Sequence, residues 1–313
     1  MRDTERLRHL HECARGKPSV SGVRAIVRFD RTVADLDRTE AFYRDHLGFV
    51  REGVPEPIPS AEAEALGVSG RCLRMRLGAQ HVAFVQPDAP GAPYPAEADA
   101  TDPVFQHLAI VVRDMAVASA GLSATPISRG GPQVLPPSTG GVIAYKFRDP
   151  DGHPLELIQF PGGTAARRWA DAPGVFLGID HSAITVSDLD QTIGFLTDIL
   201  GLTLSDRSLN QGFKQARLDG LDNPVVDVVA VAPPDPAPHV ELLHYRQPAR
   251  SNPLKVYGPA DLASTRFVFS GDDPTAIAKT LRGAGYAPRL SFDGSACFVA
   301  GPDGHGFLIL HRG

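Results

Sequence analysis

The stretch DLDRTEAFYRDHLG, residues 35 to 48, decides the fold because it returns as DLDQTIGFLTDILG, residues 188 to 201. A second pair shares the run Pro-Asp-Gly-His: DPDGHPLEL begins at Asp149 and PDGHGFLIL begins at Pro302. One repeat usually corresponds to one supersecondary unit. The chain therefore reads as four units. The positions that are identical in the longer pair are, in the first copy, Asp35, Leu36, Asp37, Thr39, Phe42, Asp45, Leu47 and Gly48.

The third unit shows the order of elements best. Residues 181 to 186, His-Ser-Ala-Ile-Thr-Val, alternate in the way that a strand with two unlike faces requires. Asp188 then stands as a helix N-cap, apolar residues follow at helical spacing, and Gly201 supplies the stop. Runs with strand character come next, at residues 202–206, 212–218, 225–231 and 240–245. We predict an α+β chain of four modules with the order β-α-β-β-β.

Length, composition and charge bound the partners. The 313 residues allow about two domains of ordinary size, and the composition is that of a globular protein. The net charge of −5 is spread without acidic or basic blocks, and no apolar run approaches membrane-spanning length. We therefore expect a small-molecule substrate, no nucleic acid and no membrane. Cys13, Cys72 and Cys297 are odd in number and form no CxxC, which favours a reducing cytoplasm.

Pro/Gly/Ala-rich stretches set the expected boundaries. Residues 1–21 are charged and read as an N-terminal arm without a signal peptide. The stretch PGGTAARRWADAPGV, residues 161–175, is the expected linker between two halves. The first pair of modules, 22–160, divides into 22–90 and 104–160, and the second pair, 176–313, divides into 176–247 and 262–312.

Two positions distinguish the units. Seven residues before the expected caps Asp35, Asp114, Asp188 and Asp272 the chain has Arg28, His107, His181 and Thr265. In the last strand the aligned runs VAFV, LELI, VELL and FLIL contribute Ala83, Glu156, Glu241 and Leu308. A single histidine on a strand is usually a hydrogen-bonded structural residue. The same two residue types at the same two points of units two and three instead indicate a shared site.

Two imidazoles and two carboxylates suit one divalent ion of borderline hardness, and Ni, Co, Zn, Mn and Fe(II) all stay open. His153 and His305 lie in Asp-Gly-His runs, so we assign them to turns. We interpret His81 and His239 as residues at strand starts.

The stretches DLDRTEAFYRDHLGF, DHSAITVSDLD and DPDGHPLELIQF resemble the vicinal oxygen chelate superfamily, and the likeness covers residues 22 to 312. That superfamily contains glyoxalase I, methylmalonyl-CoA epimerase, extradiol ring-cleaving dioxygenases, and fosfomycin-resistance and bleomycin-binding proteins. The resemblance implies βαβββ modules that pair into curved mixed-sheet half-barrels around a metal. Carried over by position, it implies the metal ligands His107, Glu156, His181 and Glu241.

The distribution of these residues then restricts how the units pair. Pairing two with three, and one with four, gives one complete site and one without ligands, whereas sequential pairing gives each cavity only one His and one Glu. A site completed across a homodimer is the alternative.

The resemblance also guides the choice of reaction. Four ligands favour a glyoxalase-type lyase, isomerase or epimerase. In that reaction Glu156 or Glu241 removes a proton α to a carbonyl of a substrate with adjacent oxygens, and the metal stabilises the enediolate. The runner-up is an Fe(II) ring-cleaving dioxygenase, which uses two His and one Glu. A drug-binding protein without catalysis is the third possibility.

Other residues have weaker assignments. Arg28 is interpreted as a surface residue on a degenerated sheet, with a substrate anion as the alternative partner. Lys146, Arg217 and Tyr257 are equally compatible with substrate contacts and with exposed positions. Residues 54–71 and 203–224 are the expected pocket walls.

Overall fold

The computed structural model describes residues 22–137, 140–235, 238–250 and 252–312. The predicted N-terminal arm and Cys13 lie outside these residues. Cys72 and Cys297 are buried free thiols. No helix within the described ranges is long and apolar enough to cross a membrane.

Each unit contains a first strand, a helix and further strands. Unit one has β1 (Val23–Thr32), α1 (Leu36–Leu47), β2 (Val50–Pro57), α2 (Ser60–Leu66), β3 (Gly70–Leu77) and β4 (Gln80–Pro87). Unit two has β5 (Gln106–Val112), α3 (Met115–Ala120), β6 (Thr125–Pro126), β7 (Gln133–Val134), β8 (Ile143–Arg148) and β9 (Pro154–Gln159). A short helix, α4 (Gly163–Arg168), follows within the expected linker.

The second half repeats this order. Unit three has β10 (Phe176–Thr185), α5 (Leu189–Gly194) continued by a π-helical turn (Phe195–Ile199), β11 (Thr203–Gln211), α6 (Phe213–Asp219), β12 (Val225–Ala232) and β13 (His239–Gln247). Unit four has β14 (Thr265–Gly271), α7 (Pro274–Gly283), β15 (Arg289–Leu290), β16 (Ala296–Ala300), a 3₁₀ turn (Pro302–Gly304) and β17 (Gly306–His311).

The strands form two mixed sheets that do not follow the chain order. Units two and three make a nine-stranded sheet in the order β11-β12-β13-β10-β5-β9-β8-β6, with β7 beside β8. Units one and four make an eight-stranded sheet in the order β15-β16-β17-β14-β1-β4-β3-β2. We call these the central and the outer half-barrel. The α+β class and the predicted pairing of the units are confirmed, so each sequential half of the chain contributes one unit to each half-barrel.

The predicted cap residues begin the helices of the first three units. Asp35, Asp114 and Asp188 each accept a hydrogen bond from the backbone N–H three residues on, which satisfies a donor that the helix itself leaves unpaired. In unit four the cap is Asp273 and not Asp272, because Pro274 occupies the first helical position. Asp272 instead pairs with Arg24.

This shift corrects the residue matched to His107. The register opposes His107 to Ala183 in the central half-barrel and Arg266 to Asp30 in the outer one. Arg266, and not Thr265, therefore occupies the position of His107.

One predicted strand was wrong. Residues 212–218 form most of α6, because Gly212 (φ 89) turns the chain out of β11 and Lys, Gln, Ala, Arg and Leu favour a helix. Gly220 ends this helix in the left-handed conformation. Its counterpart in unit one is α2, which ends the same way at Gly67.

The two turn histidines have the predicted turn position and also connect the half-barrels. The buried His153 of unit two donates from Nε2 to the carbonyl oxygen of Thr32 in unit one, at 2.9 Å. The buried His305 of unit four donates from Nε2 to that of Thr185 in unit three, at 2.8 Å. Burial lowers the pKa of both imidazoles, that of His153 to about 4, so both are neutral at pH 7.

Candidate metal centre

The four predicted site residues lie in four neighbouring strands of the central half-barrel. His107 belongs to β5, Glu156 to β9, His181 to β10 and Glu241 to β13. Parallel pairing brings Glu156 opposite Ala109 on β5 and Glu241 opposite Ala183 on β10. Because side chains alternate between the faces of a strand, this register places all four polar groups on one face. All four line one cavity of about 520 Å³.

Distances show how closely the groups meet. The Oε2 atom of Glu156 is 3.2 Å from His107 Nε2 and 3.9 Å from His181 Nε2. Glu241 Oε2 is 3.5 Å from His181 Nε2. Candidate ligand atoms of His107, His181 and Glu241 lie within 4.8 Å of one another. The sequence-predicted set is thus brought together without a second chain.

The imidazole nitrogens of this cluster fit a metal. His107 Nδ1 and Nε2 and His181 Nε2 are buried and make no hydrogen bond among the described residues, although Glu156 is close. Buried polar atoms rarely lack a partner, so three such nitrogens in one cluster indicate that a ligand binds there. Imidazoles and carboxylates are the donors that Ni, Co, Zn, Mn and Fe(II) accept.

Burial and the charges on neighbouring groups together set the protonation of three of these side chains. Burial lowers the pKa of His107 to about 4, which leaves a neutral imidazole with a free lone pair. Burial raises the pKa of Glu156, but Lys146 and His107 outweigh it and bring the value down to about 2. Burial lowers the pKa of His181, but Glu241 and Asp180 outweigh it and raise the value to about 9. Binding of a cation to His181 would therefore compete with a proton.

Asp180 orients His181, a contact that the strand pattern did not reveal. Its Oδ2 atom is 3.0 Å from His181 Nδ1, which fixes the ring and leaves Nε2 facing the cluster. Neighbouring residues of a regular strand face opposite sides, but the register of β10 shifts between Ile179 and His181. This irregularity is what lets Asp180 reach the ring of the next residue.

Lys146 and Asp219 form a second buried contact that sequence reasoning missed. Lys146 Nζ lies 2.7 Å from Asp219 Oδ1, and both side chains are almost fully buried. Lys146 is paired with Glu156 across β8 and β9, and Asp219 is the last residue of α6. Gln215 of the same helix donates to the other oxygen of Asp219. The ion pair therefore joins α6 of unit three to the sheet of unit two beside the candidate ligands.

The other residues assigned from the sequence differ in whether they line this cavity. Six residues of the expected wall 203–224 line the cavity, whereas 54–71 belong to the outer half-barrel. Lys146 lines the cavity, Arg217 covers the ring of Phe213, and Tyr257 lines a separate small cleft. His239 starts β13 as predicted and also lines the cavity.

The surface interpretation of Arg28 was wrong. Its side chain is 11% exposed and bonds to Asp30 and Glu62, at 2.5 and 2.6 Å.

Known proteins resemble this chain in family and in fold. A model of the Glyoxalase/Bleomycin resistance protein/Dioxygenase superfamily matches residues 25–157 and 178–309. A search of curated proteins gave no significant match. Glyoxalase I from Zea mays is 16% identical over 92% of each chain, with a TM-score of 0.58. A candidate dioxygenase from Bacillus subtilis is 16% identical over 93% of this chain and 86% of that chain, with a TM-score of 0.55. These structures share the fold of this chain. The family-model match covers most of the chain, which therefore belongs to the Glyoxalase/Bleomycin resistance protein/Dioxygenase superfamily.

Proposed function

We propose that the protein is a divalent-metal-dependent lyase, isomerase or epimerase that transfers a proton at the carbon next to a carbonyl. The observation that carries this proposal is the meeting of His107, Glu156, His181 and Glu241, from two units, at one cavity. The three imidazole nitrogens that lack a partner in the described part of the chain support a role in binding a cation. The proposed substrate is a small molecule with two adjacent oxygens.

These four residues would hold the ion. When bound, it supplies Lewis-acid stabilisation of the negative charge that develops on the substrate oxygens. Asp180 supports the orientation of His181, and a fixed ring position matters because ligand orientation tunes such sites.

Glu241 is the better placed of the two carboxylates to act as general base. Its side chain is 20% exposed, against 8% for Glu156, and it faces the cavity. Glu156 is held between His107 and the neighbouring Lys146, whereas the close ionic contact of Glu241 is His181. In this proposal an oxygen of the Glu241 carboxylate takes the proton from the C–H bond and returns it to the adjacent carbon or to the opposite face.

One observation favours a second candidate, an Fe(II) ring-cleaving dioxygenase. The three-residue group His107, His181 and Glu241 contains two histidines and one glutamate, which is the ligand set that the family resemblance implies for those enzymes. This alternative predicts oxygen uptake with catechols and tolerance of the loss of Glu156. A drug-binding protein without catalysis predicts no stoichiometric metal.

Metal analysis tests the site. We expect the purified wild type to hold a stoichiometric divalent ion, His107→Ala to lose most of it, and Glu241→Gln to retain it weakly. The hydrogen-bonded pair of His81 and Glu52 in the outer half-barrel provides matched controls, since His81→Ala and Glu52→Gln change a His/Glu contact outside the site and should leave the metal content unchanged. Full retention of the metal in both site variants would refute the proposed centre.

Solvent isotope exchange tests the reaction. In D₂O the metal-loaded enzyme should introduce deuterium next to the carbonyl of α-hydroxy ketones or hemithioacetals, followed by NMR. Loss of the general base in Glu241→Gln should slow exchange by about 10²- to 10⁴-fold. The rate should not depend on oxygen. Oxygen consumption with catechols, without isotope exchange, would instead support the dioxygenase.

A further inference from the structure

The cavity beside the candidate metal centre has two unlike sides. An apolar wall is formed by six side chains, five from unit two and one from α6: Leu135, Val142, Ala144, Ile158, Phe160 and Leu218. On the opposite side the edge strand β11 presents Asp206, Ser208 and Asn210, and the neighbouring β12 and β13 add Val228, Ala230 and Leu243. A molecule bound at the metal centre therefore meets an apolar surface on one side and a mixed surface, with the hydrogen-bonding groups of β11, on the other.

The apolar wall is fixed in place, although its residues come from two units. Leu218 packs with the buried Leu135 and Ala144. Its carbonyl oxygen accepts a hydrogen bond from Ser128 Oγ at 2.8 Å, and the neighbouring Arg217 carbonyl accepts one from the backbone N–H of Arg129 at 2.7 Å. The Lys146–Asp219 ion pair secures the same end of α6. The wall is thus formed before a ligand arrives, which is the usual state of small-molecule pockets.

The charges around the cavity argue against a strongly anionic ligand. Among the described lining residues the cations, apart from histidines, are Lys146 and Arg207. Lys146 is paired with Asp219 at 2.7 Å, and Arg207 lies 3.5 Å from Asp227. Four carboxylates line the same cavity: Glu156, Asp180, Asp206 and Glu241. A carrier with several carboxylates or phosphates would find few free cationic partners here.

We propose that the substrate of this site carries its adjacent oxygens on an uncharged apolar body, such as an aryl or branched alkyl group, which packs against the apolar wall. This inference rests on the proposed function, because the metal centre anchors the oxygens. The cavity of about 520 Å³ is large enough for a substituted ring and lies within the range of small-molecule sites.

Three hydroxamates test the inference by titration calorimetry on the zinc-loaded wild type. Acetohydroxamate and benzohydroxamate chelate through the same two oxygens and differ in a methyl or a phenyl group. After correction for their affinities for free Zn²⁺, we expect benzohydroxamate to bind about 10- to 100-fold more tightly, because the ring buries apolar surface. 4-Carboxybenzohydroxamate should bind about tenfold more weakly than benzohydroxamate, because a carboxylate there loses hydration without gaining a cation. Equal corrected affinities for the first two probes, or a gain from the carboxylate, would overturn the inference.

A pair of variants locates the effect. Val142→Ser makes the half-buried side chain of the wall polar and should weaken benzohydroxamate about 3- to 10-fold while leaving acetohydroxamate and zinc content unchanged. Val134→Ser is the matched control, since this exposed residue lies on the neighbouring β7 and should leave all three affinities unchanged. If zinc and acetohydroxamate bind but the phenyl ring brings no gain, the inference fails and the proposed centre stands. If no zinc binds, both fail.

Discussion

The central and outer half-barrels share one strand plan and bury different charges at matching points. In the central one, His181 Nε2 faces the candidate metal centre. In the outer one the register puts Arg28 at the position of His181, and its guanidinium binds Asp30 and Glu62. One half-barrel therefore presents donors for a cation, whereas the other contains its own cation between two carboxylates. The same scaffold can thus be a site or a closed ionic core.

The matching helices α2 and α6 also differ in the polarity of the contacts that they make with the two sheets. Aligned on the glycines that end them, Leu66 of α2 corresponds to Asp219 of α6. The register likewise matches Phe298 with Lys146, since these residues lie opposite Leu308 and Glu156. In the outer half-barrel Leu66 and Phe298 belong to one apolar cluster. The central half-barrel has an ion pair instead, and its concave side retains an open cavity.

The largest stability effect should come from breaking the ionic core of the outer half-barrel. Arg28→Met removes the guanidinium that bonds to the buried carboxylates of Asp30 and Glu62, which should lower the free energy of unfolding by about 3–5 kcal/mol. Urea denaturation measures this loss. Arg24→Met, which removes an exposed pair with Asp272, should have a much smaller effect, because water and salt screen exposed ion pairs. Metal content should not change in either variant. A loss of metal in Arg28→Met would contradict the expectation that the outer half-barrel has a structural role and does not affect metal binding in the central one.

Exchanging the ion pair of the central half-barrel for the apolar pair of the outer one should have a smaller net effect. Lys146→Phe and Asp219→Leu, each alone, leave one buried charge unpaired and should each destabilise the fold by about 3 kcal/mol. The double variant carries the residue types of Phe298 and Leu66 and should recover most of that loss, because apolar pairs replace buried ion pairs at little cost. A double-mutant cycle in urea gives the coupling energy. If the losses of the two single variants simply add in the double variant, the Lys146–Asp219 pair and the Leu66–Phe298 pair do not occupy equivalent places in the two half-barrels.

Short-range periodicity and comparison of the repeats predicted the units and the four polar positions. The family resemblance then implied that these four residues are metal ligands, and their distribution predicted the pairing of the units. The helix caps Asp35, Asp114 and Asp188 were read correctly from the same short-range periodicity. In unit four the helix cap lies one residue later than predicted, so the residue that matches His107 is Arg266 and not Thr265. An error of one residue is enough for this, because side chains on a strand change face at every residue.

Contacts between distant residues could not be predicted in this way. Lys146 and Asp219 are 73 positions apart and meet only because α6 crosses to the other unit. The orientation of Asp180 toward His181 depends on a local register shift that no periodicity records. Arg28 was misread because a buried arginine is rare, and its two carboxylate partners lie at separations of 2 and 34 residues in elements whose packing was unknown.

A third effect concerns the hydrogen bonds that connect the two half-barrels, and it appears only as the pH falls. The folded-state pKa of His153 is about 4, below the ordinary value near 6.5, so its contribution to stability is present above pH 6.5 and is lost as the pH falls toward 4. In His153→Gln this loss is absent, so the stability advantage of the wild type should shrink by up to about 3 kcal/mol between pH 7 and pH 4. Urea denaturation across that range measures it. His305→Gln should behave alike, because burial lowers the pKa of His305 and its Nε2 makes the matching bond to Thr185. The exposed His311→Gln serves as control, and a difference between wild type and His153→Gln that stays constant with pH would contradict the assignment of His153 as a neutral link between the half-barrels.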